Sequence, residues 1–324
     1  MNPLTALYGG VTALRNSMFD RGVLSSRRLE KPVVSVGNLS VGGSGKTPFA
    51  IALGGLLKAR GVQFDVLSRG YGRKTRGVLV VETDGNVADF GEEPLLIARR
   101  LNVPVIVGES RYEAGRVAEC KFQPQLHILD DGFQHRSLAR DFDIVLMGED
   151  DFDDRLLPSG RLREPLSSLQ RADAIVLPQG FSAYDVEIRN FARPGQPVWR
   201  MSRQISIPAA PIAPIVFCGI AQPQQFFAQV RAAGVTPAAE VEFRDHHSYN
   251  RSDIERLLTM RGKLGADGFL TTEKDAVNLG SLSLSSLRAD LTPFAVAVLS
   301  LTLDHPTDIV DAILTGIGKR KARS

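Results

Sequence analysis

The chain has 324 residues, with 39 lysines and arginines against 36 aspartates and glutamates and a formal charge of +3 at pH 7. That length suits two domains of ordinary size, and 43% hydrophobic with 23% charged residues excludes a largely disordered chain. So small a net charge gives no electrostatic footprint for nucleic acid, and two cysteines, Cys120 and Cys218, exclude a disulfide scaffold or cysteine zinc site and point to the cytoplasm.

At the N-terminus Leu4, Leu7, Tyr8, Val11, Leu14 and Met18 recur at helical spacing, followed by Arg15, Arg21, Arg27, Arg28 and Lys31. A secretory signal places its charges first, so the pattern is not one. It suits either an amphipathic helix lying in a membrane interface or an ordinary surface helix packed on the body. From about residue 33 to 178, short apolar runs alternate with helical patterns, the mark of βαβ units on a parallel sheet. The expected strands are Val33–Val36, Phe64–Leu67, Leu79–Val81, Val105–Val107, Leu126–Leu129, Ile144–Met147 and Ala174–Leu177. The clearest helix carries Phe49, Leu53, Leu56 and Leu57 on one face, with Gly61 placed to end it. Prolines 194, 197, 208, 211 and 214 with little periodicity predict a linker and a domain boundary. The uncharged run Gln204–Val230 is interrupted by Pro208, Pro211, Pro214 and Pro223, so it reads as linker and strand and not as a membrane span. A smaller α/β unit follows, with strands Ile215–Cys218, Phe269–Thr271 and Phe294–Leu299 and helices starting near Gln222, Ser252 and Thr307.

The strongest chemical signal is the segment Ser40-Val41-Gly42-Gly43-Ser44-Gly45-Lys46-Thr47 between the first strand and the clearest helix. Glycines let successive N–H groups curl toward a phosphate, and the helix N-terminus adds partial positive charge. Lys46 would then reach the β- and γ-phosphates and the Thr47 hydroxyl would hold Mg²⁺. Ser40 replaces the first glycine of the usual phosphate-loop pattern, and Val41 stands where a ParA-type ATPase carries its lysine. A phosphate loop also needs a carboxylate for its metal at the end of a neighbouring strand, and Asp130 and Asp131 follow the apolar run Leu126–Leu129. These parts imply ATP or another nucleoside triphosphate with Mg²⁺. Thr272-Glu273-Lys274-Asp275 lacks the spacing of a guanine reader, so GTP is not supported. The expected fold is α/β: a P-loop NTPase-like, mostly parallel sheet over residues 32–200 and a smaller α/β domain over 201–324, with residues 1–31 a basic amphipathic segment.

Further motifs carry a family likeness. Ser35–Pro48, Leu67-Ser-Arg-Gly-Tyr-Gly72, Gly91-Glu-Glu-Pro94, Leu129–His135, Leu157–Pro165, Phe217-Cys-Gly-Ile-Ala221, Asp245-His-His-Ser-Tyr249 and Thr271-Thr-Glu-Lys-Asp-Ala276 resemble tetraacyldisaccharide 4'-kinase, the lipid A 4'-kinase family of Gram-negative bacteria. The likeness spans about residues 33 to 277, and the serine at the first glycine position is itself the family form. It implies transfer of phosphate from ATP, with Mg²⁺, to the 4'-hydroxyl of a tetraacylated glucosamine disaccharide 1-phosphate, giving lipid IVA. The enzyme would be a monomer lying on the cytoplasmic face of an anionic inner membrane.

Residue by residue, the resemblance gives Lys46 and Thr47 the phosphates and metal, and Asp130 and Asp131 the Walker B-like site. It places Arg163 and Glu164 in the active site, Arg163 against charge on the transferred phosphoryl group. The family's proton-handling pair is an aspartate of Gly-Asp-Glu-Pro with a histidine; here the histidine is His246, and Glu92 occupies the aspartate position. Either Glu92 serves with His246 or the neighbouring Glu93 contributes. Arg69 and Tyr71 fall in the cleft by the same likeness, without a role, and Arg73 stands where the family often has another glycine. His246 would reach the phosphate loop from the second domain, which predicts closure on ligand. The charge is also unevenly spread: residues 1–31 carry +3, 316–324 carry +4 and the body between them −4, a distribution that suits an anionic membrane surface.

Overall fold

A computed structural model describes residues 2–42, 45–180, 185–280 and 290–321. Helix α1 (Pro3–Asp20) starts at Asn2, whose side chain accepts from the Leu4 N–H at 3.0 Å, with a proline at the first turn. Strand β1 (Val33–Asn38) is buried at every position, as a central parallel strand must be. Helix α2 (Lys46–Ala59) follows. Its Phe49, Leu53 and Leu57 are buried at i, i+4, i+8 against β1, and Gly61, at φ +71°, lies just past its end in the left-handed region that glycine tolerates.

The chain continues through β2 (Phe64–Ser68), β3 (Leu79–Val80), α3 (Val87–Phe90), α4 (Glu92–Leu101), β4 (Val105–Val107) and α5 (Arg111–Phe122). Then come β5 (Leu126–Asp130), β6 (Phe142–Leu146), β7 (Ala174–Pro178), α6 (Asp185–Phe191) and β8 (Val198–Ser206). The remainder is β9 (Ile215–Cys218), α7 (Pro223–Ala232), β10 (Ala239–Glu242), α8 (Arg251–Leu264), β11 (Phe269–Thr272), α9 (Glu273–Gly280), β12 (Phe294–Leu303) and a last helix, Pro306–Lys321. All twelve strands form one sheet in the order β10-β9-β11-β12-β8-β7-β6-β1-β5-β2-β4-β3. β1 lies parallel between β5 and β6, and α2 packs on β1, β5 and β12 beside α4.

Ten of these strands lie where the alternation of apolar runs places them. The linker expected between Pro194 and Pro214 is corrected by β8, nine residues inside that segment that pair parallel with β7 and antiparallel with β12. Positions 200 and 201 therefore fall within a paired strand. β8 is only half-buried and carries Arg200 and Arg203, so no apolar run marks it; its two neighbours make it a strand. The edge strand β10 is likewise too short and too exposed to stand out.

α1 docks by its polar side. Thr5 Oγ1 and Ser159 Oγ are 2.6 Å apart, the Tyr8 hydroxyl donates to the Arg163 carbonyl at 3.1 Å, and Asn16 Nδ2 donates to Glu164 at 2.6 Å. Leu4, Leu7, Val11 and Leu14 face out, each about 60% exposed. A helix packed for burial would turn that stripe inward.

Candidate active site

β1 ends with Asn38 at the carboxyl edge of the sheet, and a loop leads from it to α2 at Lys46. The start of this loop is bound to the segment before Arg163: the Val41 N–H donates to the Arg161 carbonyl at 2.8 Å, and the Arg163 N–H to the Leu39 carbonyl at 2.6 Å. Ser40 is paired with Leu162 in an isolated bridge. That pairing aims the Arg163 guanidinium beneath the loop, where it donates to Asp131 Oδ1 at 2.8 Å, to Asp131 Oδ2 at 3.1 Å and to Asn38 Oδ1. Lys46 Nζ donates to Asn38 Oδ1 at 3.1 Å and lies 3.7 Å from Asp131 Oδ1. Thr47 is buried one residue into α2, and Gly42 has φ +106°. Gly43 and Ser44 lie outside the described residues.

Asp130 ends β5 and Asp131 follows it at φ +51°. Gly37 is what lets β1 approach this turn, since a Cβ there would come within 2.8 Å of the Phe133 nitrogen. The Ser68 hydroxyl donates to Asp130 Oδ2 at 3.4 Å, while Asp130 Oδ1 is buried without a hydrogen bond. Burial, with the charges of Glu93 and Asp131, pushes the Asp130 pKa up to about 7. Burial acts on Asp131 too, but hydrogen bonds from Arg163 and the Lys46 cation outweigh it and bring that pKa down to about 2. An ionised and a strained buried carboxylate, one oxygen of which has no partner, fit a divalent cation. Among the described residues no three His, Cys, Asp or Glu side chains cluster as ligands, which is expected where phosphate and water complete the shell.

Glu92 opens α4 behind Gly91, whose φ is +90° and where a Cβ would meet the Tyr71 carbonyl oxygen at 2.9 Å. Its carboxylate is buried, with Oε2 3.1 Å from His246 Nδ1. Burial alone would raise the Glu92 pKa; the hydrogen bond from His246 and the Lys274 cation outweigh it and lower the value. The same hydrogen bond raises His246 above an ordinary histidine, against the opposing effect of its burial. Tyr71 flanks it, its ring centroid 5.7 Å from the imidazole. Glu93 turns instead to Lys274, at 3.2 Å, so of the two glutamates Glu92 is the one against His246. The charge of Glu93 also raises the Asp130 pKa.

Over residues 1–317 the chain matches the tetraacyldisaccharide-1-P 4'-kinase family. It is similar to a tetraacyldisaccharide 4'-kinase of Koribacter versatilis, 49% identical over 99% of this chain and 100% of that one, and to another of Aquifex aeolicus, 39% identical over 86% and 88%. It also superposes on the crystal structure of Aquifex aeolicus LpxK in complex with ATP, with a TM-score of 0.77 and 33% identity over 97% of this chain and 98% of that one. This chain belongs to the tetraacyldisaccharide-1-P 4'-kinase family.

In this member of the family, Arg163 and Glu164 part company. Arg163 faces the acids, but Glu164 turns the other way, to Arg171 at 2.7 Å, Asn16 at 2.6 Å and Ser168 at 3.1 Å. Glu164 is thus a docking point for α1, and its expected place in the active site is corrected. Both of its carboxylate oxygens are already held by Arg171, with Asn16 and Ser168 on Oε2, away from the acids that Arg163 faces.

Four residues in the site take no role from sequence, although Asn38 and Lys274 lie within the motifs that carry the family likeness. Asn38 is the acceptor shared by Lys46 and Arg163. Arg203, on β8, lies so near the phosphate loop that a Cβ at Gly45 would come 2.7 Å from its Nη2. Lys274 and Asn278, on α9, both reach Glu92. Asn38, at the end of the strand feeding the loop, and Lys274, in the Thr271–Ala276 motif, offered a signal; Arg203 and Asn278 arrive by tertiary structure.

Proposed function

We propose that this chain transfers the γ-phosphoryl group of ATP to the 4'-hydroxyl of a tetraacyldisaccharide 1-phosphate, giving lipid IVA. The observation that carries this reading is the Glu92–His246 pair, a buried carboxylate and an imidazole 3.1 Å apart. A nucleotide switch has no need of a proton acceptor there. Lys46 and Arg163 place two cations where the γ-phosphate would lie, so charge on the transferred group meets donors already in place. Thr47, Asp130 and Asp131 would hold Mg²⁺, which when bound supplies positive charge to the phosphate oxygens. As the sugar oxygen forms its bond to phosphorus and the bond to the ADP oxygen breaks, the hydroxyl proton passes to the His246–Glu92 pair. Lys46, Thr47, Asp130, Asp131 and Arg163 all come from the chain before β7, and His246 from the loop after β10.

The test uses γ-labelled ATP with the lipid disaccharide 1-phosphate in detergent. Label is expected in the lipid only when that acceptor is present; free hydrolysis with an unlabelled lipid overturns the reading.

The outward stripe of α1 and the basic residues behind it support a second part of the proposal, that the enzyme lies on the anionic cytoplasmic leaflet with Leu4, Leu7, Val11 and Leu14 among the lipids. No helix among the described residues is long and apolar enough to cross a membrane. The variant Leu7→Glu with Val11→Glu is expected to lose sedimentation with anionic vesicles, by about tenfold or more given two buried apolar side chains exchanged for charges. Its kcat on detergent-dispersed substrate should stay near wild type, and unchanged vesicle binding would refute the assignment.

A further inference from the structure

Glu92 is held from three directions, and two of the holders stand four residues apart on one face of α9. Asn278 Nδ2 donates to Glu92 Oε2 at 3.0 Å, on the same oxygen as His246, and Lys274 Nζ lies 3.5 Å from Oε1. We propose that Lys274 and Asn278 are positioning residues that fix Glu92 against His246 and set the proton affinity of the pair. The inference rests on the reading of Glu92 and His246 as the proton acceptor.

α9 is built to do this. Glu273 binds Arg100, in the last turn of α4, at 2.6 Å, while Lys274 binds Glu92 and Glu93 in its first turn, so α9 grips α4 at both ends. Asp275 turns inward, where its Oδ1 accepts from the Gly219 N–H at 2.9 Å and from the Tyr249 hydroxyl at 2.8 Å. The Gly219 carbonyl in turn accepts from the His246 N–H at 3.1 Å. Three consecutive side chains thus fix α4, Glu92 and the loop of His246 relative to one another. A glutamate has one more torsion than the aspartate that the family resemblance places here, and an unheld side chain would spend that freedom away from the imidazole. Two donors from a rigid helix remove it.

The charges around the pair make the effect measurable. Glu92 faces the Lys274 cation and His246; Glu93, Asp275 and Tyr249 stand around them, and Asp245 lies beyond the imidazole. Burial works against the charge of Lys274, but Glu93 and Glu92 outweigh it and keep it cationic. That cation disfavours protons on both Glu92 and His246.

The experiment measures kcat, the KM for ATP and the pH profile of kcat/KM for the full-length Lys274→Met and Asn278→Leu variants, in the wild-type and His246→Ala backgrounds. Each is expected to lower kcat about 10- to 100-fold, as misplacement of a reacting group does, with the KM for ATP within about twofold. Lys274→Met should move the acid limb to higher pH by about half a unit or more, because the lost cation no longer opposes the proton. Lys274→Arg should restore most of kcat. Asn278→Asp, which keeps size and adds negative charge, should move the limb the same way and serves if a larger change fails to fold. In the His246→Ala background neither substitution should cost more. Unchanged kcat, an unmoved limb, or an equal further loss without His246 would overturn the inference. Full kcat in His246→Ala and Glu92→Gln would bring down the base reading itself, a separate result.

Discussion

Replacing Lys46 with alanine should lower kcat for phosphoryl transfer by about 10²- to 10³-fold, the range for losing one donor aimed at charge in the transition state. Lys46 is the first residue of α2, so its ammonium adds to the partial positive charge of that helix end. Its head is fixed in advance between Asn38 Oδ1 and Asp131, which removes most of the entropy of recruiting a flexible side chain. Because Arg163 and the helix end remain, a residual rate should survive. Label transfer from ATP to the lipid measures the effect, and thermal melting establishes that the fold is kept. A Lys46→Ala enzyme with full kcat would mean that the loop of residues 40–47 does not hold the reacting phosphate.

The second large effect is expected at the proton-handling pair. His246→Ala and Glu92→Gln should each lower kcat by about 10²- to 10⁴-fold, the contribution of a positioned general base. The pH dependence tells the two roles apart. His246 must be neutral to accept a proton, and Glu92 raises its pKa above the ordinary value, so wild-type kcat/KM should climb with pH along a limb above about 6.5. Glu92→Gln removes the anion that favours imidazolium. The limb should then shift to lower pH even as the plateau falls. If the limb stays in place in Glu92→Gln, the titration belongs to another group.

How much of this was legible in the chain depends on how local each signal is. The phosphate loop could be read because strand, glycines, lysine and helix are contiguous, and Asp130 because an apolar strand runs straight into it. β8 could not be read, since prolines flank it and its own side chains are half-exposed. Its identity resides in hydrogen bonds to β7 and β12. The contact between Glu92 and His246 joins residues 154 apart in sequence, and nothing in periodicity points to it; only family resemblance brought them together. Glu164 shows the opposite failure. Sharing a motif with Arg163 suggested a shared site, whereas Arg171, Ser168 and Asn16 hold the Glu164 carboxylate elsewhere.

The direction of β8 against β12 has a geometric consequence. Reversing a strand turns its carboxyl end away, so the loops after β9 and β11 should lie far from those after β1 and β5. β12 joins the two sets by different halves, Phe294–Ala297 pairing with β11 and Val298–Leu303 with β8, so the chain passes from one set to the other along this one strand. The two sets nevertheless meet at the site, where Lys274, just past β11, lies 3.5 Å from Glu92. In the sheet, the half that carries the phosphate loop and the half that carries Lys274 are thus joined through the single ten-residue strand β12.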